Sequence, residues 1–172
     1  MNHIFKLLIF TLIGTLVFLS CSSSTDSNED EEFKATLDDF AGYTSWTLVA
    51  SKTGPDPFLA SAHGVNDSFT RNIYFKDNAS ASNGAYGKGA LLVKELRDAE
   101  NNLAGALTMM AKRGGGFNPD GDGWEWFMAA TDLSEVLTQG DNAAAAGGAC
   151  AGCHAQANAG SNGIDWVFSK KE

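Results

Sequence analysis

The chain has 172 residues, with 21 acidic against 12 basic side chains and a formal net charge of −9. That balance excludes a nucleic-acid binder, which needs a basic face. The length leaves room for one folded domain of ordinary size behind whatever leader and linker the chain carries.

The first predicted element is a leader over residues 1–20. Lys6 precedes an apolar run over residues 7–19 that is too short, and too closely followed by polar residues, for a comfortable spanning helix. It ends at Ser20-Cys21 in the manner of a bacterial lipoprotein signal, cleaved before Cys21 with acylation of its thiol. An ordinary secretory signal cut elsewhere is the alternative. Both place the protein in the bacterial cell envelope, the first holding it to a membrane by lipid and facing it to the periplasm or the exterior. Residues 21–32 follow as a polar tether with five acidic residues after Cys21, unable to bury surface of its own. Much of the net charge therefore lies outside the folded part.

Residues 33–172 read as one domain without internal repeats. Leu37, Phe40 and Ala41 are spaced for one face of a short helix. Residues 45–51, 71–76, 90–97, 103–111 and 124–130 carry β-branched, aromatic or alternating apolar residues in runs of strand length, separated by Gly, Asn and Asp turns. Five strands with short connections predict an α+β fold, mainly a five-stranded antiparallel sheet with flanking helices. Residues 118–123 match the first half of a calcium-binding loop, but Ala129 stands where the bidentate Glu belongs, so a β-turn is expected and no calcium. Residues 143–149 favour helix, although Gly147 and Gly148 would loosen it by about 1 kcal/mol each.

That helical stretch leads into Cys150-Ala-Gly-Cys153-His154, the pattern at which haem is attached covalently. Two thiols three residues apart reach the two vinyl groups of the haem edge, and the following imidazole turns onto the iron as proximal metal ligand. A thioredoxin-like pair would want a βαβ context, and zinc would want ligands that Cys21, His63 and His3 do not supply. A structural disulfide is the remaining alternative. With Cys21 assigned to lipid and two cysteines to one haem c, none is spare. No Met or His follows His154, so a downstream sixth ligand is excluded and an open, five-coordinate iron is expected. The Gly-rich, strand-like middle of the chain also cannot supply a four-helix cytochrome.

In chain order, Tyr43-Thr44-Ser45-Trp46, His63-Gly64, Arg71-Asn72-Ile73-Tyr74, Gly89-Ala90-Leu91-Leu92-Val93-Lys94-Glu95-Leu96, Trp124-Glu125-Trp126-Phe127, the haem motif and Asp165-Trp166-Val167-Phe168 resemble the cytochrome P-460 family over nearly the whole domain. The resemblance implies a largely antiparallel sheet with flanking helices, often a homodimer, related to the cytochromes c-prime-beta. It also implies a covalent bond from a lysine to the haem macrocycle, for which Lys94 occupies the matching place. On a strand, Lys94 shares its face with Leu92 and Leu96, which fits either a desolvated, nucleophilic amine or a lysine that snorkels to water. Arg71 falls where the family has a distal-pocket donor, with an edge ion pair as its alternative. His63 could enter the pocket or lie in a surface turn.

One departure matters. Family members that oxidise hydroxylamine carry a distal carboxylate, whereas residues 107–111 read LTMMA; Thr108 can hydrogen-bond but is no base at neutral pH. Three functions follow as expectations. The first is oxidation of a small nitrogen compound such as hydroxylamine or nitric oxide, with electrons passed to an external electron-transfer protein. The second is capture of nitric oxide or another diatomic gas without turnover, and the third is electron transfer alone.

Overall fold

The computed structural model describes residues 31–55, 62–64, 66–159 and 163–168. The leader over residues 1–20, the acylation candidate Cys21 and most of the tether lie outside them. Among the described residues no helix is long and apolar enough to cross a membrane.

Six strands run as a meander in which each pairs antiparallel with the next: β1 (Thr47–Thr53), β2 (Thr70–Phe75), β3 (Leu91–Arg97), β4 (Leu103–Lys112), β5 (Trp124–Ala129) and β6 (Val136–Gly140). The expected α+β architecture holds, with one strand more than the five expected. The additional strand is β6, whose Val136 and Leu137 are exposed at the sheet edge, so it lacks the buried alternation by which the other strands are recognised. Between Lys94 and Leu96 of β3 the register with β4 shifts, and Gly105 at φ +69° provides the left-handed residue such a bulge uses.

Both faces of the sheet are covered. On one side, Tyr74, Val93, Met109 and Phe127 stand in one cross-strand row and pack under Phe40 of helix α1 (Leu37–Phe40) and under Tyr43. Phe40 is fully buried, with its ring 5.3 Å from Phe127 in an edge-on contact. Ala41, which was expected to share that face, is exposed. On the other side, Phe75, Leu92, Met110 and Trp126 form the opposing row and pack against Ala145, Ala151 and Val167 of the C-terminal segment. A sheet covered on both faces accounts for the nearly continuous apolar runs Leu91-Leu92-Val93 and Trp124-Glu125-Trp126-Phe127.

The first of these faces contains a buried carboxylate. Glu95 has no exposure, and its oxygens accept hydrogen bonds from Tyr43 Oη (2.7 Å), Asn72 Nδ2 (2.9 Å), Tyr74 Oη (3.2 Å), Arg97 Nε (2.6 Å) and a terminal Arg97 nitrogen (3.0 Å). Burial alone would raise its pKa, but the bonds from Arg97, Asn72 and Tyr43 outweigh burial and hold it below the ordinary 4.5.

The C-terminal segment corrects one expectation. Residues 145–148 form a 3₁₀ turn in which Ala146 and Gly147 take left-handed angles, φ 50° and 62°, and not a lead-in α-helix. Gly148 at φ 84° then starts helix α2 (Ala149–His154), which carries the haem motif as expected. Helix α3 (Gln156–Ala159) follows it. Residues 118–123 form a structural turn, as expected. The Asn118 side chain donates to Trp124 O at 2.6 Å and accepts from Gly121 N at 3.1 Å, which spends its polar atoms on the backbone.

Candidate haem site

Helix α2 lies across the cavity-facing side of the sheet and sets the spacing of the site. Cys150 and Cys153 are one turn apart on its cavity side, while Ala151 between them packs into the core. Both cysteines are free and half-buried, so they do not form the disulfide that the sequence left open. Burial pushes the Cys150 thiol above its ordinary value.

His154 completes the motif. Its Nδ1 lies 2.6 Å from the carbonyl oxygen of Trp166. A carbonyl only accepts, so Nδ1 carries the proton and Nε2 keeps its lone pair for a metal. Burial lowers the pKa of the ring, which keeps it a neutral ligand. Trp126 (6.0 Å between ring centroids), Phe168 (5.6 Å) and His63 (6.2 Å) surround it.

These groups open on a cavity of about 300 Å³ whose far wall is the sheet. Ile73, Lys94, Thr108 and Met128 are paired in register across β2 to β5 and all line it, next to Leu92, Met110 and Trp126. Met110 thus belongs to the wall, while Met109 is 2% exposed and packs in the core of the opposite face. Arg71 reaches the same cavity from β2, and His63 from the turn over residues 62–64, where its own φ is +61°. All three candidate distal residues therefore meet at one site. Lys94 turns into the cavity, where its Nζ lies 3.0 Å from His63 Nδ1. Thr108 Oγ1 reaches the same nitrogen at 3.3 Å.

An ammonium only donates, so His63 Nδ1 accepts from Lys94 and the His63 proton sits on Nε2. Solvent reaches this ring through the open cavity, yet the protein packed around it, followed by the charges of Lys94 and His154, lowers its pKa to about 3.

The residues present fit a haem. Two unbonded thiols and an imidazole with a free Nε2 face an apolar slot, and the buried Trp126 Nε1 in its wall has no hydrogen-bond partner among the described residues. The sequence did not reveal Trp166 as the acceptor for His154, since a backbone carbonyl leaves no mark on residue identity; only the Asp165-Trp166-Val167-Phe168 block pointed near it.

No curated protein matches the chain. The family model of cytochrome P460 matches residues 40–169, from Phe40 in the core through the sheet and the haem motif to the segment that holds His154. The chain belongs to the cytochrome P460 family of haem proteins.

Proposed function

We propose that the protein carries a single haem c, joined through Cys150 and Cys153 with His154 on the iron, and oxidises a small nitrogen compound, hydroxylamine or nitric oxide, at the opposite side of that iron. The convergence of Lys94, Arg71, His63 and Thr108 on the cavity that holds His154 carries this reading. The haem supplies the site where the substrate's electrons enter. The chain's own groups handle the rest: Arg71 can stabilise negative charge developing on the substrate, and His63 presents an N–H for proton exchange. Electrons leave to an external electron-transfer protein. Cys21 acylation would hold the domain at the envelope membrane, and two chains could pair as family members do.

Capture of nitric oxide without turnover is the second reading, favoured by a specific observation. Among the described residues lining the cavity there is no Asp or Glu, and most of the wall is apolar. Hydroxylamine with the purified holoprotein and a one-electron acceptor separates the two. Acceptor reduction well above that of free haem supports oxidation, whereas its absence together with tight nitric oxide binding leaves capture.

Lys94 is proposed to form the haem cross-link. Its Nζ is turned into the cavity beside His63 Nδ1. Digestion of the holoprotein is expected to yield haem joined to the Lys94 segment as well as to the motif, and the ferrous Soret band is expected to be strongly red-shifted. Full recovery of an unmodified Lys94 peptide removes the cross-link.

A further inference from the structure

The acceptor that orients His154 sits in an unfavourable turn. Residues 164–167 close a tight hairpin, with Val167 N donating to Ile164 O at 2.9 Å and Ile164 N to Val167 O at 3.0 Å. Its two central residues, Asp165 and Trp166, have φ of +48° and +66°. Such a turn normally takes Asn-Gly or Asp-Gly, because both central positions are left-handed; a tryptophan there is strained. Gly163 before it has no room for a side chain, since a Cβ would collide with the Val167 carbonyl and with Ala157.

Three partners hold the turn. Asp165 is 5% exposed and accepts from Tyr86 N at 2.6 Å. Both its oxygens also lie 2.9 Å from Lys112 Nζ, a buried ammonium at the end of β4 that additionally meets Asp122 at 2.9 Å. Trp166 N donates to Asn158 Oδ1 at 2.8 Å, and the Trp166 ring packs edge-on to Trp126 at 5.9 Å. A strained turn pinned at this many points presents one group to the site, the Trp166 carbonyl that accepts from His154.

We infer that the Lys112–Asp165 ion pair is a positioning device for the proximal haem ligand: it holds the Trp166 carbonyl against His154 and thereby sets the electron-donating strength of the imidazole. The inference rests on the haem reading above. A firm Nδ1–H bond makes a ligating imidazole a stronger base, which favours the oxidised metal. Loosening the turn weakens that bond and favours reduction.

The test uses holoprotein carrying Asp165→Asn, which still offers Tyr86 N an acceptor but no charge to Lys112, with Lys112→Arg as the conservative partner. Asp165→Asn is expected to shift the one-electron reduction equilibrium about tenfold toward the ferrous form, ~59 mV more positive. The iron–histidine stretch of the ferrous protein should fall in frequency with it. Lys112→Arg should stay near wild type in both. Should Asp165→Asn not fold, Asn158→Ala loosens the Trp166 amide alone and is expected to move both readouts in the same direction. A lower melting temperature with unchanged potential and stretch would mean a purely structural pair and overturn the inference. A wild-type protein without covalent haem would instead defeat the haem reading, so the two failures are distinguishable.

Discussion

Holoprotein in which Cys150 and Cys153 are both replaced by alanine is expected to lose both thioether bonds, so that haem surviving denaturation is joined to the Lys94 segment alone, whereas digestion of the wild type also yields haem joined to the segment of Cys150 and Cys153. The two thiols line the cavity one helical turn apart and neither is engaged in a disulfide. Neither replacement touches His154 or its bond to Trp166, so the folded double variant should still bind haem. Each single variant should retain one thioether and an intermediate resistance to haem extraction. The domain should also lose thermal stability, since a group that binds only the folded state stabilises it by mass action and a covalent one cannot dissociate. Haem joined in the double variant to any segment other than that of Lys94 would defeat the assignment of the two thiols.

The second large effect is expected on the opposite face of the sheet. Glu95→Gln keeps the shape of the side chain but replaces one acceptor oxygen by an amide that donates, while every partner around it also donates. Breaking a buried charged network of this kind costs about 3 kcal/mol or more. For a domain of this size that corresponds to a fall in Tm of roughly 10 °C. The sign of the pH dependence follows from the folded pKa, which lies below the unfolded value of about 4.5. The carboxylate's contribution is present above pH 4.5 and fades as pH falls through the folded value, so wild type and variant should converge in acid. Haem absorbance should hardly change, because the network faces away from the cavity. A Tm within 2 °C of wild type at neutral pH would show that the network carries no such weight.

The parts of the fold and the site that were legible in the sequence are those in which side-chain identity carries the information. The strands β2 to β5 were readable because burial on one or both faces requires long apolar or β-branched runs. Strand β6 was not, since an edge strand exposing Val136 and Leu137 needs no such pattern. That Cys150, Cys153 and His154 share one short helix and open on one cavity was readable from their spacing. The inward turn of Lys94 was only half readable: alternation put it on the apolar row with Leu92 and Leu96, but whether its head reached water depended on His63, which arrives from a turn 31 residues earlier. The loss of helix at residues 145–148 was foreshadowed by Gly147 and Gly148, although alanine propensity alone argued the other way. Lys112 and Asp165 were unreadable as a pair, since nothing local relates residues 53 positions apart.

The neighbours Lys94 and Glu95 project to opposite faces of β3, one into the haem cavity and the other into the closed network of Tyr43, Asn72, Tyr74 and Arg97. A slip of β3 by a single residue would exchange them, burying an ammonium among the donors of Tyr43, Asn72 and Tyr74 and placing a carboxylate in the slot. The dipeptide therefore marks the register of β3: of the two neighbouring alignments, the observed one gives the glutamate its donors and turns the lysine into the cavity.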